Sequence, residues 1–311
     1  MTTRYATLVA CMVIGFGSVE AQAVKRPPIV GLSHAAFFVH DVDQARAFYK
    51  GFLGYEEPFS LNKSDGTLDL AYIKINDRQC IELFVERGRT ENRIYQIAFE
   101  VNDAEAMRAY LASKGIKTPE KVSKGRIGNL NFSVKDPDGY TVEIVQYMPD
   151  GWTLRDAGKH IPDAPLSTHL KHVGFIVDSL ERSLKFYRDI LGFQETWRGN
   201  APGNPLQWVN MKVPDGEDYI ELMLYTDQPS SIRRGSMNHI SLEVADVTKT
   251  AATLGARPTY KDYGRELTVR TGINRKRQLN VFDPDSTRTE FMEPKTVDGL
   301  PTPSSTAKPP R

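Results

Sequence analysis

The chain has 311 residues, and its 40 basic and 39 acidic side chains leave a formal charge of +1. So balanced a surface offers no field for holding nucleic acid or an anionic membrane, and the length suits two domains that each bury a core. The class that remains is a globular protein acting on a small molecule, as a monomer or homodimer.

The first 23 residues read as an export signal. Arg4 supplies the positive charge, LVACMVIGFG (8–17) the apolar run, and Ala21-Gln22-Ala23 a small-x-small cleavage site. Ten residues are too few to span a bilayer, which takes ~20, so stable membrane insertion is not expected and the mature protein is placed in the periplasm or outside the cell. Cleavage after Ala23 leaves Cys80 as the sole cysteine, which excludes an internal disulfide.

From residue 34 onward one plan recurs four times. HAAFFVHDVDQARAFYKGFLGY (34–55) and HVGFIVDSLERSLKFYRDILGF (172–193) each give a His-led strand, an Asp and a helix ending in Leu-Gly-aromatic; His34 to His172 and Phe48 to Phe186 are both offset by 138. QIAFEVNDAEAMRAYLASKGIK (96–117) and HISLEVADVTKTAATLGARP (239–258) repeat the strand, the Asp and a helix ending at Gly. Each copy then runs through extended segments into a strand carrying an acid: CIELFVE, YIELMLY, TVEIVQY and RTEFMEP. The expected fold is α+β: four βαβββ modules paired into two domains (30–148 and 170–294), each a curved sheet forming a cup with its helices outside. A Pro- and Gly-containing linker (149–169) joins them, and the Pro/Ser/Thr-rich tail (295–311) is expected to be disordered.

Within a strand, alternation sends neighbours to opposite faces. In HVGFIV it puts Val173, Phe175 and Val177 under a helix and turns His172 away. In YIELMLY it buries Ile220, Leu222 and Leu224 and turns Glu221 away. The leading residues are therefore His34, Gln96, His172 and His239, and the acids opposite them are Glu82, Glu143, Glu221 and Glu290. Two imidazoles and two carboxylates converging in one cup (His172, Glu221, His239, Glu290) suit a divalent transition metal; the alternative is four hydrogen-bonded polar residues on a half-exposed face. His34, Glu82, Gln96 and Glu143 form a second possible metal site, with a neutral amide replacing one imidazole. In the basic segment GRELTVRTGINRKRQ, Arg265 and Arg270 are candidates to clamp a substrate carboxylate, against the plainer reading of a solvated loop. His40, His160 and His169 have no counterparts among the repeats, although His169 is close enough in sequence to His172 to rival it as a ligand.

The motifs FYRDILGF, DPDGYTVEI and YIELMLY resemble the vicinal oxygen chelate superfamily over about residues 30–294, and the His, Glu, His, Glu pattern is similar to glyoxalase I. The resemblance implies a lyase or isomerase whose metal (Zn, Ni, Co, Mn or Fe) stabilises an enediolate, with Glu290 as the better candidate for the proton-moving base and Glu221 as its ligand partner, roles that are open to interchange. It also implies two alternatives. One is an extradiol ring-cleaving dioxygenase using His172, His239 and Glu290; the other is a binding protein without turnover.

Overall fold

The computed structural model describes residues 24–86, 88 and 93–310, so the expected export signal lies outside the described residues. Module one comprises β1 (Ile29–Val39), helix α1 (Val42–Arg46) with a π-helical continuation (Ala47–Phe52), β2 (Ser60–Asn62), β3 (Leu68–Lys74) and β4 (Cys80–Val85). Module two comprises β5 (Ile94–Val101), α2 (Ala104–Ser113), β6 (Ser123–Lys124), β7 (Leu130–Lys135) and β8 (Thr141–Gln146). After the short α3 (Trp152–Arg155), module three follows as β9 (Leu170–Ile176), α4 (Leu180–Leu184) with a π-helical continuation (Lys185–Ile190), β10 (Gln194–Gly199), β11 (Trp208–Lys212) and β12 (Tyr219–Met223). Helix α5 (Ser231–Met237) leads into module four: β13 (His239–Glu243), α6 (Val247–Gly255), α7 (Tyr260–Tyr263), β14 (Val269–Thr271), β15 (Lys276–Phe282) and β16 (Arg288–Thr296).

The Asp that follows each leading strand caps the next helix. Asp41, Asp103 and Asp246 adopt extended backbone and accept backbone N–H groups of the first turn, and Ser179 takes this place in module three. The π-helical stretches depart from a plain 3.6-residue stripe. Their wider turn lets two adjacent aromatics face inward, so Phe48 with Tyr49, and Phe186 with Tyr187, are all buried. Gly54 and Gly192 end these helices at φ of 75° and 81°, where a side chain would be strained.

Modules pair within the chain, one with two and three with four. Each pair makes one curled eight-stranded sheet, ordered β2-β3-β4-β1-β5-β8-β7-β6 and β10-β11-β12-β9-β13-β16-β15-β14. The two leading strands of a pair lie antiparallel at the centre, each flanked by the parallel acid-bearing strand of its own module. All eight site positions therefore fall on the four central strands of their sheet. Val173, Phe175, Ile220 and Leu222 are fully buried on the helix side, as the alternation requires.

The helices of each domain pack against the other domain. Phe52 stacks on Tyr263 at 4.4 Å, and Phe99 meets Phe193 edge-on at 5.1 Å. Tyr49 donates to Asp283 (3.3 Å) and Tyr187 to Asp136 (3.0 Å), so the first Asp of each Asp-Pro-Asp turn also receives a hydroxyl from across the interface. Burial pushes the Asp283 carboxyl up to about 7. A raised acid prefers its protonated form in the folded state, so this contribution to stability is full below the unfolded value and is lost as pH climbs toward 7. Asp283→Asn is expected to remove that loss. It should exceed the wild type by roughly 1–4 kcal/mol at pH 8 and match it near pH 4 in denaturant titrations.

The segment after β16, expected to be disordered, is instead held in place. Val297 N–H donates to Arg275 O (2.9 Å), Ser305 N–H donates to Arg198 O (2.9 Å), and Leu206 N–H donates to Lys308 O (2.8 Å). A chain with almost nothing apolar to bury beyond Ala307 is ordered here because it borrows hydrogen bonds from the rims of the second sheet.

Candidate metal centre

In the second cup, β9 and β13 bring two imidazoles together with their ring planes nearly perpendicular (85°) and His172 Nε2 3.0 Å from His239 Nε2. Glu290 Oε2 lies 3.5 Å from His172 Nε2, and Glu221 Oε1 lies 3.7 Å from His239 Nε2. Both imidazoles are buried and held well below their ordinary pKa, first by burial and then by the Arg288 guanidinium, so both are neutral. His239 Nδ1 lies 3.0 Å from Met237 O. The Arg288 guanidinium lies against the same nitrogen, so Nδ1 is engaged on the far side of the ring and Nε2 is the nitrogen that faces His172. Tyr219, two residues before Glu221 on the same face, stacks on His172 at 4.5 Å and fixes the ring plane.

Burial, and then the neighbouring Glu290, push the Glu221 carboxyl up to about 8. Glu290 is raised as well, mainly by burial. Lone pairs and carboxylates packed this closely are mutually unfavourable, and a cation relieves all of them at once. His172, His239 and Glu290 bring one donor atom each to within 4.8 Å of one another. The donor set fits a divalent transition metal.

The first cup has the same layout and opposite electrostatics. His34 Nε2 lies 2.9 Å from Glu143 Oε2 and 3.5 Å from Glu82 Oε2, while Gln96 Nε2 donates to Glu143 (2.7 Å) and lies 2.8 Å from His34 Nε2. Although burial opposes its charging, His34 is raised overall because Glu82 and Glu143 outweigh that cost. This cluster pairs its imidazole directly with two carboxylates. Glu82 is pushed up to about 7 by burial. Cys80, which the spacing argument passed over, shares a face with Glu82 and completes a group of three donors with it and His34; its position two residues before Glu82 was the available signal. The cluster forms the floor of a cavity of about 190 Å³ walled by Leu70, Tyr72, Phe84 and Tyr147.

The remaining candidates fall elsewhere. Arg265 lies over the Phe282 ring at 5.2 Å and lines a groove with Phe48 and Phe52, outside the metal cluster. Arg270 is exposed on edge strand β14. The guanidinium that reaches the cluster is Arg288, which donates to Met237 O (2.9 Å) and lies against His239. Its position two residues before Glu290 places it on the cup face. His169 pairs with Asp218 at 2.6 Å and takes no part in the cup, which removes it as a rival ligand. His40 and His160 lie beside Glu86 and Glu56.

The model of the glyoxalase/bleomycin resistance protein/dioxygenase superfamily matches residues 31–144 and 169–295. A lactoylglutathione lyase of Schizosaccharomyces pombe is 28% identical over 142 residues, 37% of this chain and 46% of that protein, so the match spans less than half of the relative's length. A Mn(II)-bound glyoxalase from Novosphingobium aromaticivorans superposes with a TM-score of 0.65 at 18% identity, covering 91% of this chain and 88% of that one. An extradiol ring-cleaving dioxygenase from B. fuscum gives 0.64 at 18% identity, covering 90% and 76%. At such identities the two structures speak for the fold alone.

Proposed function

Because the chain belongs to the glyoxalase/bleomycin resistance protein/dioxygenase superfamily, we propose that its second cup is a divalent-metal site and the protein a glyoxalase-I-like lyase or isomerase of a small substrate with adjacent oxygens. The observation that carries this reading is the pair of neutral imidazoles whose Nε2 atoms lie 3.0 Å apart between two carboxylates. His172, His239 and Glu290 are the tight holding group, and Glu221 the fourth donor. Bound there, the metal acts as a Lewis acid on the substrate's oxygens.

Glu221 stands outside the tight group of three and is the better placed carboxylate to move a proton. It takes the proton from the carbon beside a carbonyl and returns it to the neighbouring carbon. This exchanges the roles that the resemblance implied for Glu290 and Glu221. Tyr219 and Arg288 keep the imidazoles oriented and neutral while this happens.

The tight group is also two imidazoles and one carboxylate, the donor set of an extradiol dioxygenase, which makes that the second reading. One pair of assays separates them on metal-loaded protein. Isomerisation of an α-oxo-aldehyde adduct without oxygen uptake supports the lyase, whereas oxygen consumption with catechols supports the dioxygenase. A protein that takes up no divalent metal sinks both. Export is part of the proposal, resting on the pattern of residues 4–23; a mature N-terminus other than Val24 would count against it.

A further inference from the structure

The residues after β16 take an unusual route. At one end Asp298 pairs with Arg275, Val297 N–H donates to Arg275 O (2.9 Å), and Thr302 donates to Asn274 O; both partners lie in the turn between β14 and β15. At the other end Ser305 N–H donates to Arg198 O on β10 (2.9 Å), Ser305 Oγ bonds Asn200, and Lys308 O accepts Leu206 N–H (2.8 Å). Strands β10 and β14 are the two opposite edges of the sheet. Following the outside of eight strands from edge to edge means seven steps of ~4.8 Å, or ~34 Å. The three residues from Thr302 to Ser305 span at most ~10 Å. Only the chord across the open side of the curled sheet is that short.

The first domain shows the same construction. There the residues after β8 bridge the corresponding rims: Trp152 N–H donates to Ile127 O (2.8 Å) in the β6–β7 turn, and the Trp152 ring meets Phe59, just before β2, at 5.2 Å. Thr153 of this bridge lines the cavity of the first cup. A bridge in this position thus forms part of the cup wall.

We infer that residues 297–310 are a strap closing the second cup, and that the strap restricts the cup to compact substrates and excludes peptide-sized conjugates. The substrate class rests on the metal reading above; the closure does not. Pro301, Pro303, Pro309 and Pro310 suit the role, because proline pre-sets an extended chain and lowers the entropy lost on docking. In the second sheet, among the described residues, the buried Trp197 Nε1, Asn210 Oδ1 and Asn280 Oδ1 have no hydrogen-bond partner. Cross-strand pairing places Asn210 beside Glu221 and Asn280 beside Glu290, so both amides flank the metal cluster. One donor and two acceptors left open on the cup face fit a small polyoxygenated molecule.

The test uses tryptophan fluorescence. Of the three tryptophans, Trp197 and Trp208 sit in the second cup and Trp152 in the first, so Trp152→Phe leaves the two reporters of interest. In that background, quenching is measured with acrylamide and with glutathione carrying a nitroxide on its sulfur, for the full chain, for a chain ending at 300, and for Ser305→Pro, which deletes both rim bonds of Ser305. With the strap intact, labelled glutathione should not quench; truncation should make it a quencher and raise the acrylamide quenching constant at least threefold, with Ser305→Pro intermediate. Equal quenching of intact and truncated protein by labelled glutathione, with circular dichroism unchanged, overturns the strap; if truncation unfolds the chain, Ser305→Pro alone decides. The measurement is repeated with and without added metal. Failure to take up metal then counts against the metal reading and leaves the closure standing, whereas metal uptake with unchanged quenching does the reverse.

Discussion

Gly174→Ala is expected to abolish metal binding by the second cup while leaving the fold intact. A Cβ on Gly174 would lie 2.0 Å from His239 Cε1 and 2.6 Å from both ring nitrogens, contacts that real structures do not contain. The imidazole has no room to retreat, since it is buried against His172, Arg288 and the Met237 carbonyl. Overpacking of this kind costs roughly 1–3 kcal/mol, and the displaced ring carries Nε2 away from its partners. The matching position in module one, 174 − 138 = 36, is Ala36, paired across the sheet with Gln96 rather than a histidine. Gly174→Ala combined with His239→Gln is therefore expected to regain the lost stability and still bind metal weakly. Calorimetric melting and metal content per chain, measured on both variants, check this; full metal occupancy in Gly174→Ala would contradict the placement of His239.

Glu290→Ala should separate stability from binding. The carboxylate is buried and raised, so the metal-free protein is destabilised by carrying it at neutral pH. The metal-free variant is expected to melt higher than metal-free wild type. Added metal should then raise the melting temperature of wild type and leave the variant unmoved, because a ligand stabilises only the state that binds it. Losing one of three close donors typically weakens a metal site by orders of magnitude, and turnover should fall at least 10³-fold. Glu143→Ala, in the first cup, is the control. Its cluster is internally paired, His34 with Glu82 and Glu143 and Gln96 with Glu143, so metal stoichiometry should not change.

The fold was legible because repetition and alternation are both written in one dimension. The fixed offset of 138 paired His34 with His172, and strand parity put Glu82, Glu143, Glu221 and Glu290 on the concave face. Less legible were groups whose importance depends on curvature. Arg288 and Cys80 sit two residues from recognised acids and were open to the same parity argument, whereas Arg265 was picked for its charge and lies on Phe282 instead. The contrast between the cups was half visible as Gln96 against His239. That burial and neighbours raise the histidine of the first cup and lower both histidines of the second depends on distances of about 3 Å between strands that no spacing reports. The tail was misread because composition says whether a segment can build its own core, not whether a sheet edge will receive it.

The crossed tyrosines have a consequence for how the protein comes apart. Tyr49 of the first domain completes an acidic turn in the second, and Tyr187 of the second completes the matching turn in the first. Neither half can leave without uncovering a buried carboxyl in its partner and one in itself. The 311 residues should accordingly melt in a single cooperative transition, and either half expressed alone should be prone to aggregation. Such mutual dependence also loosens the constraint on chemistry: a half that is held folded by its neighbour can carry an amide such as Gln96 where the other half carries the imidazole of His239, without risking the scaffold.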